Sequence, residues 1–211
     1  MMKQLVISCM VMAITGFSVN AQDIKLKSPD LNGGKRVMQA LSERKSTREF
    51  STKELSLQEL SNLLWAGNGI NRPEKGMRTA ASCLNKQDVD IYVIMKEGAY
   101  RYNAEKNLLE QIARGNFYDA VTGGQAFAYD APVHLILVSD LALLGGIRDA
   151  KANQMGAIDV GIVSGNISLY CAGAGLATVP RASMDKEKLR SILKLRTDQL
   201  PILTHTVGYM K

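Results

Sequence analysis

Arg44, Lys45, Ser46, Thr47 and Arg48 stand in a row, so three cations and two hydroxyls fall within five positions. A guanidinium fork can hold a phosphate through two parallel hydrogen bonds, and a hydroxyl beside it can reach a remaining oxygen. That chemistry suits the terminal phosphate of a small cofactor. The same run also fits a solvated basic surface at a helix end, where cations favour the dipole. No other reactive side chains group in this way. His134 and His205 each sit inside an apolar, strand-like run without a ligand partner at metal spacing, so structural roles and no metal site are expected. Cys83 falls in a loop and Cys171 in an apolar helix. Free thiols are expected rather than a disulfide, since nothing in the sequence brings their Cα atoms together. No catalytic side chain stands out.

The elements that must position the basic run follow from periodicity. Residues 35–44 predict a helix with Val37, Met38 and Leu41 on one side. Ser56 and Glu59 have the spacing of a capping box, and Leu57, Leu60, Leu63 and Leu64 then form a helical stripe ended near Gly67 and Gly69. Residues 71–88 read as a long loop, of a length that is usually functional or mobile. Residues 89–96 predict a strand, 99–103 its hairpin partner, 116–129 a helix, and 132–139 a strand buried on both faces. Residues 147–174 carry the longest helical pattern. Its second half is apolar nearly all round, which suits a helix buried centrally or in a subunit interface. Asp159, Asn166 and the shortness of the apolar run argue against a membrane span. Gly173, Ala174 and Gly175 read as the helix C-cap, not a dinucleotide fingerprint, because that motif follows a strand. A short strand over 176–179, a helix over 185–194 and a strand over 201–209 complete an α+β or α/β sandwich.

Met1, Met2 and Lys3 give a positive start, residues 5–19 are largely apolar, and Val19, Asn20 and Ala21 resemble a signal-peptidase site. Residues 1–21 are therefore expected to be a secretory signal peptide and 22–211 a single mature domain, exported to the periplasm. A lipoprotein anchored at Cys9 is a minor alternative, because too few residues separate it from Lys3 for a proper apolar region. The 46% hydrophobic and 22% charged content is that of a soluble globular protein. Basic side chains number 26 against 20 acidic, a mild excess that suits an anionic cofactor or substrate. Nucleic acid is not expected, since no aromatic-studded basic stripe accompanies the charge.

Several segments together resemble the nitroreductase family of flavoproteins. Arg44-Lys45-Ser46-Thr47-Arg48 resembles that family's phosphate-binding R-R-S-x-R opening, and Ala81-Ser82-Cys83-Leu84-Asn85-Lys86-Gln87 its P-S-A-x-N-x-Q loop. Arg101-Tyr102-Asn103 with Leu108-Leu109-Glu110, Gly124-Gln125-Ala126-Phe127 and Ala131-Pro132-Val133 resemble its azoline-dehydrogenase-like branch. Asp159-Val160-Gly161, Asn166, Leu169 and Gly175-Leu176-Ala177-Thr178-Val179 match the long central helix and the strand after it, and Val207-Gly208-Tyr209-Met210-Lys211 is similar to the V-G-Y-P-K ending. Agreement in order and spacing across independent segments outweighs any single match.

The resemblance implies an α+β fold, a nitroreductase-like sandwich whose central, mostly antiparallel sheet is flanked by helices. It also implies an intertwined homodimer with FMN between the subunits. Arg44, Ser46 and Arg48 would hold the FMN phosphate, with Lys45 adding positive field and Lys211 closing from the C-terminus. In the loop opened by Ala81, Ser82 and Asn85 would bond the ribityl chain or ring edge. Thr178, Val179 and Arg181 would lie beside the isoalloxazine. The implied activity is ping-pong hydride transfer through flavin N5, to or from nitroaromatic, quinone or similar small molecules. An exported enzyme would need an electron donor other than NAD(P)H, which fits only a cytoplasmic protein. Ala81, Asp88 and Met210 replace family prolines, and Gly165 and Ala174 replace a glutamine and a glutamate near the expected flavin edge. A non-catalytic exported protein that binds flavin or another anion is the alternative.

Overall fold

The computed structural model describes residues 22–211; the expected signal peptide and the lipidation alternative at Cys9 lie outside the described residues. In chain order the elements are β1 (Ile24–Lys25), α1 (Val37–Glu43), α2 (Leu57–Asn68), β2 (Ile70–Arg72), β3 (Met77–Arg78), β4 (Val89–Met95), β5 (Gly98–Asn103), β6 (Leu108–Arg114), α3 (Tyr118–Thr122), β7 (Val133–Asp140), α4 (Ala150–Ala174), β8 (Ala177–Arg181), α5 (Lys186–Ile192) and β9 (Gln199–Gly208). Seven strands form one sheet in the order β1-β6-β5-β4-β7-β9-β8, with every neighbouring pair antiparallel.

Side chains alternate across a strand, and here both faces are covered. Ile91 and Val93 of β4 and Leu135 and Leu137 of β7 pack with Leu63 of α2 and Val163 and Ile167 of α4. Tyr92, Ile94, Ile136 and Val138 pack with Ala120 and Val121 of α3 and Leu189 of α5. The result is the expected α+β sandwich with a central antiparallel sheet. α2 starts as its capping box predicts: Ser56 Oγ accepts from the Glu59 N–H, and Glu59 Oε2 accepts from the Ser56 N–H at 2.8 Å.

Four local expectations change. The 71–88 segment is not structureless: β2 and β3 pair across a turn at Pro73–Lys75, and a second short turn spans Cys83–Asn85. The helix expected over 116–129 breaks, because Gly123 and Gly124 take φ of 58° and 75°, and the chain resumes as a 3₁₀ turn at Ala126–Asp130. β6 and β1 were not legible in the pattern; the polar lead-in adds β1 to the edge of β6 and buries Leu26. Finally, of the two placements expected for α4, central burial accounts for only one side of it within this chain. Ala152, Gly156, Val160, Val163, Ile167 and Cys171 are buried, whereas Ile158 and Ile162 are 48% and 37% exposed. A Cβ added at Gly161 or Gly165 would meet nothing within 4 Å. At 25 residues α4 has the length and composition to cross a bilayer, but its buried stripe makes it the core helix of this sandwich. It stops at Gly175, whose φ of 72° is the expected C-cap.

Candidate functional site

The basic run sits between the end of α1 and the free edge of the sheet. Arg44 closes α1 by donating its N–H to Ala40 O at 2.9 Å. Thr47 N–H then reaches Thr178 O on β8 at 3.0 Å, Phe50 bridges Met210, and Ser51 N–H reaches Tyr209 O at 2.9 Å. These bonds strap residues 44–51 to the edge strand and to the C-terminal segment that carries Lys211. Arg44, Lys45, Ser46 and Arg48 are all exposed. Among the described residues none of the three cations has an ion-pair partner. Beside them lies a cavity of about 410 Å³ lined by Lys45, Thr47, Ser168, Thr178 and Met210, a size typical of small-ligand sites. The Lys35–Glu43 ion pair forms part of its rim.

Other expected cofactor residues face the interior. Thr178 Oγ1 donates to Thr206 O at 3.0 Å and lies 3.1 Å from His205 Nδ1, while His205 Nε2 lies 2.7 Å from Ser164 Oγ. The backbone of Thr178, not its hydroxyl, therefore meets the basic loop. Val179 is buried with Phe50, Ala131 and Ala177. The Arg181 guanidinium is spent inside the fold, on Val121 O, Thr122 O, Ser183 O, Gln125 Oε1 and Thr206 Oγ1 at 2.8–3.1 Å. Its burial lowers its pKa. Two guanidiniums approach the Phe127 ring, Arg181 at 5.9 Å and Arg48 at 6.0 Å from its centroid. Both histidines have the structural settings expected of them: burial, then the nearby Arg181 charge, lowers each to about 3, so each is neutral at ordinary pH. Cys83 and Cys171 are free thiols, and burial pushes Cys171 up to about 12.

The second polar loop is tied differently. Ser82 Oγ accepts from Gln87 N–H at 2.8 Å, and Cys83 N–H donates to Asp159 Oδ2 on α4 at 2.7 Å. Gln87 in turn bonds Gly76 O and takes the Arg78 Nε–H. Leu84, Asn85 and Gln87 all have positive φ, and Leu84 is 86% exposed. A non-glycine residue in that region is strained and tends to mark ligand clamps. The loop anchors at Asp159, whereas the basic run adjoins Ala172 and Gly175 at the other end of α4. At 1.5 Å per residue the anchors are about 20 Å apart. One chain thus brings Arg44, Lys45, Ser46 and Arg48 to Thr178, Met210 and the C-terminal segment, but it does not bring Ala81, Ser82 and Asn85 to them. Thr47, Asp159 and Phe127 are structural partners of the two loops that spacing alone does not single out, since each acts through a contact distant in sequence.

An antiparallel sheet between helical layers, with an open cationic loop and a cavity at its edge strand, defines an α+β sandwich with a candidate anion site. The chain belongs to the nitroreductase family, whose model matches residues 41–209. It is 27% identical over 194 residues to the Methanocaldococcus jannaschii protein named "Putative nitroreductase MJ1384", across 88% of this chain and 96% of that protein. A Ralstonia eutropha JMP134 crystal structure, described as a "putative nitroreductase", is 35% identical and matches with a TM-score of 0.83 over 90% of each chain. A chain of the E. coli microcin synthetase McbBCD complex shares the fold, with a TM-score of 0.66 at 15% identity over 99% of this chain and 85% of that one. Family membership points to a flavin-dependent oxidoreductase.

Proposed function

We propose that the chain acts as an FMN-dependent oxidoreductase in which two copies share each flavin site. The observation that carries this reading is the run of three exposed cations, without an ion-pair partner among the described residues, of which Lys45 lines the edge-strand cavity. Arg44 and Arg48, with Ser46, suit the phosphate, Lys45 adds field, and Lys211 lies one residue beyond the Phe50–Met210 bridge. Thr178 and Val179 border the ring through their backbone. Arg181 serves from behind, holding the 121–125 turn that leads to Phe127. The 81–87 loop, about 20 Å away along α4, would then serve the site of the second copy through Ala81, Ser82 and Asn85. Uncovered apolar surface supports such a homodimer: Met38 is 77% exposed, Val37 62% and Leu41 51% on α1, beside the open face of α4. A groove of about 740 Å³ between α2, α4 and the lead-in, lined by Val37, Trp65, Leu169 and Tyr170, extends this surface.

Bound FMN would supply hydride chemistry at its N5, while this chain's residues bind, orient and charge-balance it. Donor and acceptor would take turns at one open face. Nitroaromatics and quinones are the substrate classes, and the azoline-dehydrogenase-like motifs make an outward-passing dehydrogenase the other direction. The leader sequence supports export to the periplasm, where the donor would not be NAD(P)H. Gly165 and Ala174, which offer no polar side chain at their own positions on α4, favour a second reading in which flavin is held without turnover. The test is reconstitution of residues 22–211 with FMN, followed by dithionite reduction and addition of a nitroaromatic. A yellow protein reoxidised by the acceptor is expected. Colour with no reoxidation by any acceptor would favour the second reading, and a protein that takes up no flavin would overturn both.

A further inference from the structure

Asp88 and Asp159 are almost fully buried, at 1% and 3% exposure. Among the described residues neither has an ion-pair partner. Asp88 sits where the 81–87 loop enters β4. Its Oδ2 accepts from Ser139 Oγ on β7 at 2.5 Å, its carbonyl accepts from Asp140 N–H at 2.8 Å, and its Oδ1 has no partner. Asp159, on α4, accepts the Cys83 N–H. The helix comes this close because Gly156, one turn earlier, lies against β7: a Cβ there would stand 2.4 Å from Ser139 Oγ. Arg78 on β3 gives its guanidinium to Gln87 Oε1 and Asn68 O. Asp140 pairs with Arg196, and Asp90 interacts with Arg101 and Asp140. Two carboxylates in this setting repel, and as two acceptors they cannot bond each other; one proton removes both problems.

We propose that Asp88 carries a proton through which it bonds Asp159, and that this pair docks the 81–87 loop on α4 in its flavin-binding geometry. A proton on Asp88 Oδ1 turns an orphaned acceptor into a donor toward Asp159. The Asp159 carboxylate, so fixed, holds the Cys83 N–H and with it Ser82 and Asn85. Loss of the proton breaks that bond, sets a second acceptor against Asp159 and releases the loop. Burial first, then the hydrogen bond and like charge of Asp159, push the Asp88 carboxyl up to about 7 against the pull of Ser139. Asp88 stands where the family resemblance leads one to expect proline, so the device belongs to this chain's own residues. Its link to the flavin rests on the proposed function; the docking of the loop does not.

The test is amide hydrogen exchange of the 81–87 loop in the 22–211 protein at a series of pH values from 6 to 9, corrected for intrinsic rates and compared at pH 6 and pH 8, with FMN titrations at those two pH values. Wild-type protection should fall about tenfold, as expected for one proton lost on passing a unit beyond its pKa. Asp88→Asn keeps a neutral side chain that can donate, and its protection should be level. Ser139→Ala, which removes the hydroxyl that favours the charged form, should move the midpoint to higher pH. Flat wild-type protection, an unchanged fall in Asp88→Asn, or an unmoved midpoint in Ser139→Ala would overturn the pair. FMN affinity should weaken with pH in parallel in the wild type and stay level in Asp88→Asn; pH-independent affinity alongside a loosening loop would overturn the positioning role. A protein that binds no FMN at either pH would overturn the proposed cofactor, while exchange still decides the pair.

Discussion

The 44–48 loop and the 81–87 loop hold their polar groups in opposite ways. In the first, Arg44, Lys45 and Arg48 stand in solvent with no ion-pair partner among the described residues, and backbone bonds through Thr47 and Ser51 do the anchoring. In the second, side chains do the anchoring: Ser82, Gln87 and the distant Asp159 each close a bond, and the backbone at Leu84, Asn85 and Gln87 is left at positive φ. An exposed cation keeps its interaction energy for a ligand, whereas a side chain already bonded within the fold mainly fixes shape. The first loop is therefore suited to supply affinity and the second to supply geometry. The arginines at the basic end show the same division at close range, since exposed Arg48 and buried Arg181 both approach one phenyl ring.

The largest expected effect tests that division. Arg181→Ala removes the donor to three backbone carbonyls, of which those of Val121 and Thr122 are buried. It should lower unfolding free energy by about 3 kcal/mol or more in urea melts. Arg44→Ala should leave stability within about 0.5 kcal/mol, as for exposed positions without special contacts. Its loss should appear in FMN titration, as about 1.5–3 kcal/mol of affinity for a charged phosphate bond. If Arg181→Ala leaves stability untouched while Arg44→Ala destabilises, the assignment of one to the scaffold and the other to the ligand is reversed.

A pH titration separates buried groups at the two ends of the sandwich. His134 and His205 fall from 6.5 to about 3 on folding. Below 6.5 the unfolded chain binds protons that the folded chain does not, so each lowers stability by up to about 1.4 kcal/mol per pH unit as pH falls from 6.5 toward 3. Asp88, raised from 3.8 to about 7, has the opposite sign: its contribution is present at low pH and is lost as pH rises from 3.8 through 7. The two histidines outweigh it, so stability should rise with pH between about 4 and 6.5. Asp88→Asn should make that rise steeper by up to about 1.4 kcal/mol per unit. Equal slopes in urea melts of the two proteins would mean Asp88 titrates normally.

Strands β4, β5, β7, β8 and β9, helices α2 and α4 and the basic run are legible in the sequence because each rests on a local signal: an apolar period, the Ser56–Glu59 capping box, the Gly175 stop. The helix expected over 116–129 fails for an equally local reason, since Gly123 and Gly124 lie within it and admit backbone angles that end it. β6 carries no clean alternation, and its pairing with β1 and β5 is settled by neighbours rather than by its own residues. For the site, the identity of Arg44, Ser46 and Arg48 is readable. The seclusion of Arg181 and the anchoring of Cys83 by Asp159, 76 residues away, are tertiary facts with no local trace.

The smallest effect bears on the strained side of the comparison. Leu84 has φ of 48° and is 86% exposed, so its side chain contributes little burial. A left-handed non-glycine residue costs about 1–2 kcal/mol, while glycine adds about 0.5–1 kcal/mol of unfolded-state entropy. Leu84→Gly should therefore shift unfolding free energy by about 0–1.5 kcal/mol, toward greater stability. If the leucine serves only as backbone filler, FMN affinity should also stay level. Affinity that weakens while stability holds would show that Leu84 is itself a contact surface, and that the 81–87 loop supplies binding energy as well as geometry.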